Sequence, residues 1–167
     1  LALSGQAMFA SGHPAEGQDL PADLGLQRST DGGVTWTGVS LEGEVDFHRL
    51  RVSGRALLGV SAHDGTLLRS TDEGDSWTDL GVQPLYDLAV SPQNAEQVVG
   101  TTERGPVASD DGGTSFAPLT GAPLLALLSW SSNLLYGVSP DGVVHLSRND
   151  GASWSQVGRV AGQPSAI

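Results

Sequence analysis

An eight-residue motif recurs four times along this chain of 167 residues. Its copies run over residues 29–36, 70–77, 109–116 and 147–154, so that successive copies start 41, 39 and 38 residues apart. Each copy has Ser at the first position, Asp or Asn at the third, Gly at the fifth, Ser or Thr at the seventh and Trp or Phe at the eighth. A period of about 40 residues is typical of a propeller blade or a solenoid unit. The repeat therefore predicts four similar supersecondary units.

The composition of the motif is that of a tight turn between two strands. The Asp or Asn side chain can accept backbone N–H bonds within the turn, and the Gly two residues later can adopt the positive φ that other residues avoid. The aromatic residue is expected to pack between the sheet and its neighbour. We therefore predict a structural role for these residues, which are Asp31, Gly33, Trp36, Asp72, Gly74, Trp77, Asp111, Gly113, Phe116, Asn149, Gly151 and Trp154.

Short β-rich runs fill the space between the motifs, and the apolar spacing of 3.6 that is typical of helices is absent. In the second unit the pattern predicts strands over residues 47–53, 56–62, 66–70 and 77–80. Four antiparallel strands per repeat predict an all-β fold built of propeller blades. The expected blades span about residues 1–49, 50–87, 88–126 and 127–167 of a single propeller domain or segment.

The two ends of the chain bear on how such a ring would close. In the register of the repeats, residues 163–167 could supply the missing half of the strand that residues 1–4 continue. Closure through a shared strand is one way in which propellers avoid open sheet edges. The sequence leaves three arrangements open: a four-bladed ring, an eight-bladed ring of two chains, or a part of a longer chain. The first residue is Leu1 rather than Met, which favours an excised segment.

Composition narrows the classes of function. The formal net charge is −11 and all eight basic residues are arginines, so the surface repels phosphate backbones and nucleic acid is an unfavourable partner. There is no cysteine, which excludes disulfides, thiolate zinc sites and thiol nucleophiles. No run of about 18 apolar residues is present to span a membrane. We expect no cofactor.

The four motif copies are Asp-boxes, and the chain resembles the Asp-box (BNR) repeat propellers found in sialidases, other glycoside hydrolases, sortilin-type receptors and photosystem II assembly factors. The segments Ser11-Gly-His13-Pro14 and Val45-Asp-Phe-His48 look like those of secreted actinobacterial propellers that are labelled glycosylhydrolase-like. The resemblance implies a secreted or cell-envelope protein. It also implies that the Asp-boxes are structural and lie away from a functional centre.

Blade topology predicts that the loops opposite the motif turns carry the function, because loops from several blades converge there. The first unit has an insertion in this position, at about residues 13–24. Carboxylates and imidazoles are concentrated in these loops. The candidate binding residues are His13, Asp19, His48, His63 and Arg104, with Glu16, Asp23, Glu42 and Asp141 in the same set of loops.

Three functions fit these loops. A glycoside hydrolase would use two carboxyl groups, and the candidates are Asp46, Glu44 and Asp64. A metal site would use His13, His48 and His63, but no ligand spacing such as HxH or HExxH is present, so no metal is expected. A recognition module for a protein or a glycan needs no catalytic constellation and is the favoured interpretation. Trp130 is the only Trp outside the motifs, which favours a protein ligand over a glycan. A homodimer or further blades could complete the ring.

Overall fold

A computed structural model describes residues 1–162, which form sixteen β-strands and no helix. The strands make four separate four-stranded antiparallel sheets. The chain divides into two compact units, the first covering Leu1–Gln83 and the second beginning at Pro84. The predicted strand contribution of residues 163–167 lies outside the described residues.

The first unit contains two sheets in which each strand pairs with the next along the chain. The first sheet consists of β1 (Ala2–Ser4), β2 (Ala7–Ala10), β3 (Leu26–Ser29) and β4 (Thr37–Ser40). The second sheet consists of β5 (Phe47–Ser53), β6 (Ala56–Ser61), β7 (Thr66–Ser70) and β8 (Thr78–Val82).

The second unit repeats this arrangement. Its first sheet consists of β9 (Asp87–Val90), β10 (Val98–Thr102), β11 (Gly105–Ser109) and β12 (Ala117–Pro118). Its second sheet consists of β13 (Leu127–Ser131), β14 (Leu134–Val138), β15 (Val143–Ser147) and β16 (Ser155–Arg159). Each sheet is the meander that forms one propeller blade, and the predicted all-β propeller class is confirmed.

The strands predicted for the second sheet of the first unit agree closely with the structure. The predicted strands at 47–53 and 66–70 have the observed bounds, and β6 ends one residue earlier than predicted. The predicted strand at 77–80 is shifted, because β8 covers Thr78–Val82. Trp77 belongs to the turn instead: its indole N–H donates to the carbonyl of Gly74 at 3.1 Å, and its ring lies 5.0 Å from that of Phe47.

The four motif copies form one type of turn. In the second copy, the Oδ1 atom of Asp72 accepts the N–H of Ser76 at 3.0 Å, and its Oδ2 atom accepts the Ser76 hydroxyl. The Ser70 hydroxyl accepts the N–H of Gly74, which has a φ of 94°. The fourth copy makes the same backbone bond with an amide oxygen, from the N–H of Ser153 to Asn149 at 2.9 Å.

Hydrogen bonding also determines the acidity of the three motif aspartates. The Thr or Ser at the seventh position donates through both its hydroxyl and its backbone N–H, and the Ser at the first position donates as well. These bonds stabilise the ionised form and lower the pKa to about 2 in Asp31, Asp72 and Asp111. These carboxylates are therefore already engaged within their own turns.

In three of the four sheets, the second strand carries a glycine on which a larger apolar side chain packs. An added Cβ at Gly59, in β6, would lie 2.3 Å from Cδ1 of Phe47. The same holds for the corresponding glycines of β10 and β14: an added Cβ would lie 2.6 Å from Cδ2 of Leu85 at Gly100 and 2.5 Å from Cδ1 of Leu125 at Gly137. The absence of a side chain at these positions lets the chain segment that enters each blade lie against the sheet.

Candidate functional site

Three loops of the first unit lie at the strand ends opposite the motif turns. They connect β2 to β3 (residues 11–25), β4 to β5 (residues 41–46) and β6 to β7 (residues 62–65). Backbone bonds join them: the N–H of Gly43 donates to the carbonyl of Asp23 at 2.8 Å, and the N–H of Ala62 donates to that of Asp46 at 2.8 Å. The long β2–β3 loop is also closed at its base by a bond from Leu24 to Gly12 of 2.9 Å. These backbone bonds hold the three loops next to one another.

Five side chains from these loops and from the start of β5 form what we call the His–Asp cluster, in which imidazoles and carboxylates alternate: His48, Asp46, His13, Asp23 and His63. The Nε2 atoms of His48 and His13 lie 3.1 and 3.5 Å from Oδ2 of Asp46. The Nδ1 atom of His13 lies 3.6 Å from Oδ1 of Asp23, and Nε2 of His63 lies 2.9 Å from Oδ2 of Asp23. Asp46 and Asp23 therefore each contact two histidines.

The carboxylates lie beneath the imidazoles. The side chains of Asp46 and Asp23 are 6% and 13% exposed, whereas those of the three histidines are between 56% and 68% exposed. The Ser11 hydroxyl donates to Oδ1 of Asp46 at 3.4 Å and accepts the N–H of Phe47 at 2.9 Å, which holds the carboxylate at the base of the cluster. A ligand at this surface would meet imidazoles first.

His13 has an acceptor near each ring nitrogen. Its Nδ1 atom lies 2.8 Å from the carbonyl oxygen of Ala22, which can only accept, so Nδ1 carries a proton in this contact. Its Nε2 atom faces Asp46. The contact with Ala22 raises the pKa of His13, and the negative charges of Asp46 and Asp23 act in the same direction against a smaller effect of desolvation. The geometry therefore favours the imidazolium form.

The other candidate residues lie outside the His–Asp cluster. Asp19 and Glu44 are exposed. The Asp64 carboxylate accepts the N–H of Thr66 at 3.0 Å, and hydrogen bonds from Thr66 and Ser61 lower its pKa. Asp64 is therefore engaged in hydrogen bonds within the β6–β7 turn. Arg104 belongs to the second unit, in the turn between β10 and β11.

No metal geometry is found within residues 1–162, since no group of three or more His, Asp or Glu side chains there is arranged to hold an ion. The three candidate histidines are brought into one cluster, but they converge on two carboxylates and not on a common point. No helix among the described residues is long and apolar enough to cross a membrane.

Two contacts of the His–Asp cluster are long-range. Asp46 contacts His13, which is 33 positions away, and Asp23 contacts His63, which is 40 positions away. Sequence reasoning found the histidines from their loops but did not single out Ser11 or the burial of the two aspartates. The available signal was the position of Asp46, a single carboxylate between the apolar Val45 and Phe47 at the start of β5.

Shallow clefts elsewhere have charged groups that are already paired. One cleft of the first unit, about 330 Å³ in volume, is lined by Arg28, which lies over the Phe9 ring at 5.8 Å and pairs with Glu73 at 3.2 Å. A cleft of the second unit, about 450 Å³ in volume, is lined by Asp141, which pairs with Arg159 at 3.2 Å. Neither cleft presents a cluster comparable to that of the three loops.

Four-stranded antiparallel meanders that recur along one chain define the class of the protein, a β-propeller. No protein-family model matches the sequence, and no curated protein matches it. Solved structures do match. The GH74 xyloglucanase from Xanthomonas campestris aligns with a TM-score of 0.62 at 19% identity, over 96% of this chain and 31% of the other.

Two YCF48 structures are similar as well. YCF48 from Cyanidioschyzon merolae aligns with a TM-score of 0.57 at 18% identity, over 84% of this chain and 52% of the other. YCF48 bound to D1 peptide aligns with a TM-score of 0.56 at 19% identity, over 78% of this chain and 47% of the other. The chain thus spans about half or less of the length of these three proteins. At these identities the similarity shows the propeller fold alone.

Proposed function

We propose that this propeller is a binding or scaffold module that presents the His–Asp cluster to a protein ligand. The observation that supports the proposal is the assembly, by three separate loops, of three exposed imidazoles over the buried carboxylate of Asp46 and the partly buried carboxylate of Asp23. Polar groups placed on loops above a rigid sheet are typical of recognition sites. Imidazole nitrogens can donate or accept hydrogen bonds from peptide groups and side chains.

The state of the candidate acids favours binding over catalysis. A glycoside hydrolase needs two carboxyl groups that face the scissile bond, one of them protonated. Asp46 is buried and surrounded by Ser11, His13 and His48. Asp64 is engaged in its turn, and its lowered pKa opposes the role of general acid.

The similar structures support both a first and a second candidate function. YCF48 with its D1 peptide is a propeller that binds a peptide, which agrees with a protein ligand here. The GH74 enzyme makes glycoside hydrolysis the second candidate, with Glu44 or Asp46 as catalytic residues. A glycan could also be bound without being cleaved.

The proposal extends to family, location and assembly. We place the chain among the Asp-box repeat propellers because four copies of the motif form the same hydrogen-bonded turn. By that resemblance we propose an extracytoplasmic location. We also propose that a second copy of the chain, or further blades, completes a ring.

Peptide selection and enzyme assays test the function together. A random peptide library displayed on phage is selected against the protein, and the affinities of the selected peptides are measured for wild type, for His48→Gln/His63→Gln and for the control His145→Gln, which lies in β15 of the second unit. We expect a loss of roughly tenfold or more in the double variant, as for truncated central contacts, and no loss in the control.

The enzyme assay uses a panel of aryl glycosides and xyloglucan with the same preparations. We expect no turnover. Turnover that disappears in Asp46→Asn or Glu44→Gln would establish the hydrolase instead, and selected peptides that bind all variants equally would move the binding site away from the His–Asp cluster.

A further inference from the structure

The His–Asp cluster joins three loops through contacts whose strength depends on protonation. Its chain of contacts runs from His48 through Asp46, His13 and Asp23 to His63, and every contact pairs an imidazole with a carboxylate. With neutral imidazoles the cluster carries the charges of two carboxylates. A proton taken up by an imidazole turns its contact with a carboxylate into an ion pair, and histidine ordinarily takes up this proton between pH 5 and 8.

We infer that the His–Asp cluster is a pH-sensitive clasp, which holds the β2–β3 loop (residues 11–25) against the other two loops more tightly in mildly acidic than in neutral solution. The inference goes beyond the proposed binding function, because it concerns the closure of the loops themselves. It does not require that the ligand be known.

His13 is the central link of the clasp. It belongs to the β2–β3 loop, and it contacts Asp46 of the β4–β5 loop as well as Ala22 and Asp23 at the far end of its own loop. A neutral imidazole has one N–H and can donate to only one of these partners, whereas the imidazolium donates from both nitrogens. Protonation of His13 therefore lets Nδ1 donate to the Ala22 carbonyl while Nε2 donates towards Asp46.

The sign of the pH effect follows from linkage. The pKa of His13 is raised by its contacts in the folded protein. A group with a raised pKa contributes its full stabilisation below its unfolded pKa and loses it as the pH rises through its folded pKa. The clasp is therefore complete in mild acid and weakened above neutrality. Beside these His13 contacts, His48 lies 3.1 Å from Asp46 and His63 lies 2.9 Å from Asp23.

The remaining charged groups of these segments do not reverse this sign. Arg49, which follows His48 in β5, donates from Nη1 to the His48 carbonyl at 3.0 Å. The Asp64 carboxylate, next to His63, is held by Thr66. The other acids of the three loops are all exposed: Glu16, Asp19, Glu42 and Glu44.

Amide hydrogen exchange tests the clasp. The reporters are the N–H groups of Leu24, Gly43 and Ala62, whose backbone bonds close or join the three loops. Protection factors, which correct for the intrinsic pH dependence of exchange, are measured by NMR at about pH 5.5 and about pH 8, on either side of histidine titration. We expect them to be roughly 1.5- to 5-fold higher in acid, the range for exposed ion pairs.

Variants assign the effect to the His–Asp cluster. In His13→Gln the acid-to-neutral ratio of protection factors at the reporters should fall towards one without reaching it, because His48 and His63 keep their contacts with Asp46 and Asp23. In His145→Gln the ratio should match wild type. The N–H of Ala126, which donates to Val138 in the second unit at 2.8 Å, is the internal reference for intact folding. Equal protection at both pH values in wild type, or an unchanged ratio in His13→Gln, would overturn the inference.

Discussion

Replacement of Gly59 by Ala tests the packing of a glycine that no turn requires. Gly59 is buried in β6 and does not have a positive φ, so alanine is compatible with its backbone. The added Cβ would, however, lie 2.3 Å from Cδ1 and 2.4 Å from Cε1 of Phe47. The Phe47 side chain is itself confined, because it is 6% exposed and its ring lies 5.0 Å from that of Trp77.

The expected loss of stability in Gly59→Ala is therefore the cost of steric overpacking. Inserting a methyl group into a packed core costs about 1–3 kcal/mol, and we expect Gly59→Ala to lower the free energy of unfolding by that amount. The assay is urea unfolding followed by tryptophan fluorescence. The matched control is Gly38→Ala in β4, where an added Cβ would be 3.5 Å from the nearest atom, so the change should stay within about 0.5 kcal/mol.

A double-mutant cycle identifies the clashing partner. Phe47→Ala alone should cost about 3–5 kcal/mol through the cavity that it leaves. Because the new methyl group would occupy part of that cavity, the double variant should be more stable than the sum of the single changes predicts, by about 0.5–3 kcal/mol. Additive effects, or a Gly59→Ala protein as stable as wild type, would refute the steric argument.

Two further predictions concern carboxylates that support the scaffold. Asp72→Ala should destabilise the turn, whereas Asp72→Asn should retain most of the stability, because Asn149 accepts the equivalent N–H in the fourth copy. The pKa of Asp72 is about 2, so wild type should lose stability relative to Asp72→Asn as the pH falls from about 4 towards 2. Urea unfolding at each pH measures both effects. Asp87 is 1% exposed and its Oδ2 accepts the N–H of Leu128 at 2.8 Å, so Asp87→Ala should cost about 1–3 kcal/mol through that orphaned N–H, and thermal unfolding with no loss would contradict its role.

The strands and turns could be predicted because their signals are local. The strand bounds of β5 and β7 followed from short runs of β-forming residues between turn signals. The turn bonds at Asp72 involve residues at most four positions apart. The indole of Trp77 is an exception, since its N–H also donates to the Ser40 hydroxyl of the neighbouring sheet, a contact across 37 positions that no local signal predicts.

The amino-acid sequence by itself determined the repeat, the all-β class and the end of the sheets at which the histidine-bearing loops lie, because hydrogen bonds within a turn and alternation along a strand depend on neighbouring residues. The tertiary structure alone decided that Asp46 and Asp23 lie beneath His13, His48 and His63. These contacts join residues that are distant in the chain. They form because the paired strands bring three loops to the same end of the first unit. The histidines then cover Asp46 and Asp23, which lie at the base of the cluster.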